Sequence, residues 1–196
     1  MNAQELILQN FKGYVQEGDA PYEYLMTHFC EYTYDSRQLI VEGGAIARHF
    51  YFVLEGVQAI YVISRTGEKV VLGFSFDGSV SGVYDSFIYQ KPSAYFLEAL
   101  TPSRMLGISI DRFNELFERF PDLLKWRVTF VDAIMEGRGR REVEMLTLSA
   151  AERYEAFVKR CPPELLTIPQ KYLASYLHMK PETFSRLRKN ASSLFS

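Results

Sequence analysis

The sequence predicts an α+β chain in three parts: an antiparallel β-roll over residues 1–120, one long helix over 121–148 and a small helical unit over 149–196. Three observations predict it. Between Tyr32 and Ile110 the apolar period is two residues, in short runs separated by turn signals. From Asp111 onward the period lengthens to that of a helix and stays there. A basic excess is confined to the last part: from Ser149 to Ser196 eight Lys and Arg stand against four acids, leaving −6 for the remainder of a chain whose total charge is −2.

Taken in order, Met1–Glu31 reads as helix with one break. Leu6, Ile7 and Phe11, then Tyr22, Leu25, Met26 and Phe29, recur at helical spacing, and Gly18-Asp19-Ala20-Pro21 separates the two pieces. The β region follows, with runs at 50–54, 59–63, 70–74 and 105–110. They are bounded by Glu42-Gly43-Gly44, Glu55-Gly56, Arg65-Thr66-Gly67-Glu68 and Asp77-Gly78. Many short strands at even spacing argue for a closed or two-layered antiparallel roll. Phe113, Leu116 and Phe117 mark a short helix. Pro121 suits the first turn of the next one, where its missing N–H costs nothing.

On that long helix Leu124, Val128, Val131 and Met135 step by four, three and four residues, the spacing of a seam between paired helices. A homodimer is the expectation. Gly137 and Gly139 weaken the helix and mark either a kink or a close helix contact. Ser149-Ala150-Ala151-Glu152 reads as a capping box that opens a helix running to about Arg160, where Cys161-Pro162-Pro163 stops it. Two short helices, split near His178, fill the rest.

These last two helices carry the functional signal. Ala174 is the small residue that a tight helix crossing needs. Leu173, Leu177, Met179, Phe184 and Leu187 are the apolar lock on both sides of the turn, and Pro181 again suits a first turn. The pattern is that of a helix-turn-helix whose second helix presents Glu182, Thr183, Ser185, Arg186 and Lys189. Glu182 and Arg186 lie four apart and share a face. Arg can bridge the O6 and N7 of guanine, and Glu can accept from the N4 of cytosine. Gln170, Lys171, Lys180, Arg188 and Lys189 complete the candidate DNA-binding set, with Arg188 and Lys189 suited to phosphates, which give affinity without reading sequence. Double-stranded DNA is the expected partner. His178 stands where such turns commonly carry Gly; His accepts left-handed backbone better than most residues.

Other classes have little support. Cys30 and Cys161, the two cysteines, cannot build a disulfide framework or a four-thiolate cluster, and unpaired buried thiols are expected. No apolar run approaches the roughly 18 residues of a membrane span, and Met1–Gly13 lacks the apolar core of a signal peptide. A cytoplasmic protein with no membrane partner is expected. A roll of this kind is also compatible with a cupin-like metalloenzyme. The three histidines, His28, His49 and His178, are far apart in sequence, and no nucleophile elbow or phosphate loop is present. No enzyme activity, metal site or cofactor is expected.

In the order of its parts, and most specifically over Ile168–Lys189, the chain resembles the Crp/Fnr family of bacterial transcription regulators. The resemblance implies that 1–120 is a cyclic-nucleotide-binding-like sensor roll (a double-stranded β-helix, or jelly roll) and that 121–148 is the dimerisation helix. It makes 149–196 a winged-helix-like DNA-binding domain whose wing, in a chain ending at Ser196, is short or absent. RNA polymerase and a small-molecule effector of unidentified chemistry become further partners. The family reads DNA with Arg-Glu-x-x-x-Arg. Here Glu182 and Arg186 match, and Pro181 replaces the first Arg.

The family's cyclic-AMP pocket pairs Gly-Glu, for the ribose, with Arg-Ser-Ala, for the phosphate. Here Gly82, Ser93 and Ala94 match, while Val83 and Pro92 replace the two charged residues. Burying a phosphate without its Arg would cost several kcal/mol, so no response to cyclic AMP is expected. The candidate effector pocket comprises Gly82, Val83, Tyr84, Ser93 and Ala94, with Arg138 at the place where cyclic-AMP-responsive members touch adenine. The rings of Tyr84, Phe87, Tyr89 and Tyr95 belong either to a pocket for a flat apolar ligand or to the core. A ligand-sensing module of the same fold is the alternative reading.

Overall fold

The computed structural model describes residues 1–192. Two N-terminal helices, α1 (Ala3–Asn10) and α2 (Ala20–His28), precede eight strands: β1 (Cys30–Tyr34), β2 (Leu39–Val41), β3 (His49–Glu55), β4 (Gln58–Ile63), β5 (Lys69–Ser75), β6 (Val80–Ser81), β7 (Phe96–Ala99) and β8 (Ser103–Ser109). Helix α3 (Tyr84–Tyr89) interrupts them between β6 and β7. The strands form two four-stranded sheets, ordered β1-β8-β3-β6 and β2-β7-β4-β5, with every pairing antiparallel. The four predicted runs are β3, β4, β5 and β8. The other four strands are too short, or too polar on one face, for their alternation to stand out in the sequence. The run at 105–110 stops one residue early because the Ser109 hydroxyl caps α4 (Ile110–Arg119).

Two glycines are fixed by their surroundings. A Cβ on Gly56, at φ 103°, would sit 2.5 Å from the Pro102 carbonyl, and a Cβ on Gly107 would meet the Tyr32 and Tyr51 rings at 2.8 Å. The main core lies between Phe50, Phe52, Leu54, Leu97, Leu106 and Ile108 of the sheets and the helices α1, α2 and α4. Aromatic rings dominate it. Trp126, at the start of the long helix, stacks on Phe11 at 4.2 Å and on Phe130 at 5.6 Å, and its indole N–H donates to the Asn10 carbonyl at 2.8 Å. Each such buried side chain contributes about 1.5–3 kcal/mol relative to exposure, so this cluster fixes the long helix to the roll.

Pro121 opens a 3-10 turn over Pro121–Leu123, and the long helix α5 spans Leu124–Thr147 without a break. Gly137 and Gly139 therefore mark no interruption, and a Cβ at either would meet nothing within 4 Å in this chain. The predicted capping box is present: the Ser149 hydroxyl accepts from Glu152 N, and the Glu152 carboxylate accepts from Ser149 N at 2.8 Å. It opens α6 (Ala150–Val158), which ends two residues before Arg160. A 3-10 turn over Pro163–Thr167, α7 (Gln170–Tyr176) and α8 (Pro181–Ser192) are the last elements of the described residues. Cys161 is half-buried and its thiol is pushed up by burial, whereas Cys30 is exposed, since it opens β1 on a solvent face rather than in the core. The expectation of a short or absent wing falls on 193–196, outside the described residues.

The helical unit does not stand apart from the roll. Strand β5 is the free edge of its sheet, and α7 and α5 cover it. Val71 N donates to the Ser175 hydroxyl at 3.0 Å, the same hydroxyl donates to the Lys69 carbonyl at 2.9 Å, and Arg141 donates to the carbonyls of Tyr176 at 3.0 Å and Val71 at 3.4 Å. At Lys69 and Val71 the outward backbone groups of this edge strand, otherwise open to pairing with another chain, are thereby satisfied. Behind this contact a second core joins Val57, Ala59, Tyr61 and Val71 of the sheet to Tyr154, Phe157, Leu173 and Phe184 of the helical unit. Glu98 is buried beside it, paired with Lys69, and the burial of Tyr172, together with that carboxylate, raises the Tyr172 phenol above its ordinary value.

Candidate nucleic-acid interface

The turn between α7 and α8 sets the candidate reading face. Helix α7 ends in a Schellman arrangement: Met179 N donates to the Ala174 carbonyl and His178 N to the Ser175 carbonyl, both at 3.0 Å. This places His178 at φ 55°, the left-handed position usually taken by Gly. A side chain there costs roughly 1–2 kcal/mol. Arg153 offsets part of that cost by donating to the carbonyls of Leu148 at 2.6 Å, Leu177 at 2.9 Å and His178 at 3.3 Å. Ala174 is fully buried at the crossing, and Leu173, Leu177 and Phe184 are buried around it. Pro181 is the first residue of α8.

Around this lock a concave outer face is lined by Gln170, Pro181, Glu182, Ser185, Arg186, Lys189 and Asn190. Glu182, Arg186 and Lys189 are exposed and Ser185 is half-buried. Lys171 and Lys180 are exposed next to it, one at the start of α7 and one immediately before α8. Thr183, expected on the same face, is half-buried and does not line it. Arg188 sits on the inner flank, beside Tyr154, Phe184 and Cys161. There the Gln170 amide, oriented oxygen first, accepts from its guanidinium at 2.8 Å. The structure thus gathers Gln170, Glu182, Ser185, Arg186 and Lys189 on one surface and gives Arg188 a role in holding α7 to α8.

The seam residues of α5 face outward in a single chain: Leu124 is 46%, Val128 59% and Met135 62% exposed, with Val131 half-buried. Val143 and Leu146 continue this exposed apolar character towards the end of the helix.

The candidate effector residues fall into two places. Gly82, at φ 148°, leads into α3. Val83 is fully buried in the main core, and Tyr84 packs its ring against Phe50 and Phe130. Ser93 is buried with its hydroxyl donating to the Tyr95 carbonyl, and Ala94 is exposed beside it. Arg127 of α5 donates to the Tyr84 hydroxyl at 3.3 Å. These positions thus combine the buried Val83 with a Ser93 whose hydroxyl is already bonded, and Pro92 adds no charge. Of the four rings in this neighbourhood, Phe87 is core, Tyr84 is half-buried and Tyr89 is exposed. Tyr95, which follows Ala94 in the chain, lines a cavity that also holds Arg138. Sequence reasoning passed over Arg141, Arg153 and Ser175, which do most to position the helical unit. A lone Ser or Arg on an amphipathic helix gives no signal of the backbone groups it will meet.

Among the described residues no group of three or more His, Cys, Asp or Glu is placed to hold a metal, and no helix is long and apolar enough to cross a membrane.

Residues 31–120 match the cyclic nucleotide-binding domain family. The chain is similar to the cAMP-activated global transcriptional regulator CRP of Pasteurella multocida, at 24% identity over 106 residues, or 54% of this chain and 51% of the relative. The same regulator from Salmonella typhimurium is 23% identical over 54% of this chain and 50% of its own length. The match therefore spans about half the length of these curated relatives. Among solved structures, the c-di-GMP responsive global regulator CLP of Xanthomonas campestris superimposes with a TM-score of 0.70 at 21% identity, covering 89% of this chain and 92% of the other. FixK2 of Bradyrhizobium japonicum superimposes at 0.75 and 15% identity, covering 85% of each.

Proposed function

We propose that this chain, which joins a cyclic nucleotide-binding domain to a helix-turn-helix in the fold of Crp/Fnr regulators, is a sequence-specific DNA-binding transcription regulator that works as a homodimer and does not respond to cyclic AMP. The observation that carries the reading is the outer face of α8. Glu182, Ser185, Arg186 and Lys189 share one surface, on a helix locked at a fixed angle by Ala174 and the left-handed turn at His178. A major groove admits such a helix. Arg186 is the residue for a guanine and Glu182 for a cytosine. Lys171, Lys180 and Lys189 border that face and suit phosphates.

Pairing through Leu124, Val128, Val131 and Met135 would present two such helices to successive major grooves of a near-palindromic site. The curated relatives are named as transcriptional regulators rather than enzymes, which supports a non-catalytic role in transcription; RNA polymerase is the further partner that this role would engage. The cassette argues against cyclic AMP: Val83 is buried in the core where a ribose-binding Glu would be needed, and Pro92 supplies no cation. One solved neighbour is described as c-di-GMP responsive. That nucleotide and cyclic AMP are therefore the two to assay for binding.

The test is selection of bound sites from fragmented genomic DNA with the wild type and Arg186→Ala in parallel, at two salt concentrations. A near-palindrome recovered by the wild type, and relaxed at one base of each half-site by Arg186→Ala at a cost of about 1–3 kcal/mol per site contact, is the expected result. Each phosphate contact removed by a Lys189→Ala variant lowers the salt slope by about 0.9. Identical motifs and affinities for wild type and Arg186→Ala would refute the assignment of the reading residue.

A further inference from the structure

Among the described residues, three besides glycine hold a left-handed backbone: Arg37, Gln90 and His178. Two are accounted for. Gln90 donates through its side chain to the carbonyls of Phe87 at 2.7 Å and Ala47 at 3.3 Å, and His178 closes the turn between α7 and α8. Arg37, at φ 70°, is the third residue of the turn between β1 and β2, which Gln38 N closes on the Asp35 carbonyl at 3.0 Å. A positive φ at that position suits Gly or Asn, and an arginine there carries strain that persists only where the surroundings impose it. Here they do. Arg37 N donates to the Ala99 carbonyl at 2.7 Å, Ala99 N to the Gln38 carbonyl at 2.9 Å, and the Ser36 hydroxyl to the Leu100 carbonyl at 3.0 Å. The Arg37 side chain is exposed and makes no hydrogen bond or ion pair among the described residues. We propose that Arg37 is a DNA contact supplied by the roll: its guanidinium meets a backbone phosphate of the duplex that flanks the half-site under α8.

The turn is tied to the part of the roll on which the helical unit sits. Leu100, which receives the Ser36 hydroxyl, shares a core with Tyr172 and Leu173 of α7. Lys171 is exposed, with its Nζ 5.3 Å from the centre of the Tyr172 ring. From the roll side, burial and Glu98 raise the Tyr172 phenol, and the charges of Lys69 and Arg37 are near enough to oppose that rise. Arg37 and Lys171 thus flank one tyrosine. Neither local acid neutralises them: Glu98 is buried and paired with Lys69, and Asp35 lines another hollow with Glu55 and Arg104. Lys171 in turn adjoins Gln170, which lines the outer face with Glu182, Arg186 and Lys189. Positive charge therefore continues from α8, across the start of α7, onto the roll.

A guanidinium fork fits two phosphate oxygens, and such a contact adds affinity and fixes register without reading a base. The contact rests on the reading of α8 as the DNA-reading helix, and it adds that the sensor roll touches the same duplex. A site with flanking DNA is then held more tightly than the bare near-palindrome.

The test compares the affinity of the full chain for two duplexes: the selected near-palindrome alone, and the same site with about one further helical turn on each side. Arg37→Gly removes the guanidinium and suits the left-handed backbone, so its midpoint in urea unfolding should be no lower than that of the wild type. On the longer duplex it should bind roughly tenfold more weakly, with a salt slope lower by about 0.9 for each chain. On the shorter duplex it should match the wild type. Arg37→Gln and Arg37→Lys keep the backbone strain and separate charge from fold: the slope should fall in the first and stay in the second. Arg48→Ala removes an exposed arginine before the far end of β3 and should change neither duplex. Equal slopes for Arg37→Gln and Arg37→Lys on the longer duplex overturn the contact, as does an equal loss on both duplexes or an equal loss in Arg48→Ala. A wild type that selects no DNA sinks the reading of α8 itself. A wild type that selects its near-palindrome, with Arg37 variants indistinguishable from it on the longer duplex, sinks this contact alone.

Discussion

Replacing Ser175 by Ala removes one oxygen and tests how the DNA-binding unit is held to the roll. Its hydroxyl accepts from Val71 N at 3.0 Å and donates to the Lys69 carbonyl at 2.9 Å. The two losses are unequal. Val71 is fully buried, so its N–H is left without a partner and carries the desolvation penalty of an unmade hydrogen bond, about 1–3 kcal/mol. Lys69 is exposed, and its carbonyl can turn to water at little cost. Arg141, which donates to the Val71 and Tyr176 carbonyls, remains in place, so the contact is loosened rather than abolished. The expected result is a loss of about 1–3 kcal/mol in the free energy that holds α7 on β5, read as faster amide exchange at Val71. Exchange at Phe52, in the main core, should change much less. Unchanged exchange at Val71 would refute the reasoning, since it would mean that the edge of β5 does not depend on α7 for its pairing. Uniform acceleration at Val71 and Phe52 together would refute the locality of the contact.

Two further outcomes follow from exposure and burial elsewhere. Val128→Lys places a charge on the outward seam of α5, where Val128 is 59% exposed in the single chain; two copies of the substitution per dimer should weaken self-association by about 3 kcal/mol or more, so that sedimentation velocity shows a monomer, and an undiminished dimer would remove this face from the interface. His49 bonds through Nε2 with the Tyr32 hydroxyl at 2.9 Å, and burial lowers its pKa below the ordinary 6.5. The unfolded chain therefore takes up a proton that the folded chain resists, and stability present above about 6.5 is lost as pH falls through the folded value. His49→Gln should flatten that decline between about pH 7 and 5 in urea titrations; a decline as steep as in the wild type would assign it to other groups.

The sequence announced those elements in which local pattern and tertiary need agree. The capping box at Ser149, the turn at His178 and the small residue at Ala174 are each dictated within a few positions, and each sits where the pattern put it. β2 and β6 were invisible because strands of three and two residues exist only through their partners. Arg188 shows what a pattern leaves out: it is exposed at the spacing expected for a phosphate contact, and it also lies beside Tyr154 and Phe184, within reach of Gln170. Helical periodicity gives the angle of a side chain, and only packing decides whether a long one reaches outward or back.

The candidate effector region follows the same logic one level up. Comparison with a family pattern could locate a cassette at Gly82–Ala94 and note its two missing charges, but it could not say what had taken their place. The structure supplies that: Val83 is part of the core, Tyr84 is held by Phe50, Phe130 and Arg127, and Arg138 lines a cavity with Tyr95, the residue that follows Ala94. Without those charged groups the cassette offers a cyclic phosphate and its ribose no charged partner. Arg141 and Tyr176 belong both to the wall of the Arg138 cavity and to the clasp on β5, so the long helix, the roll and α7 are held through one shared set of contacts.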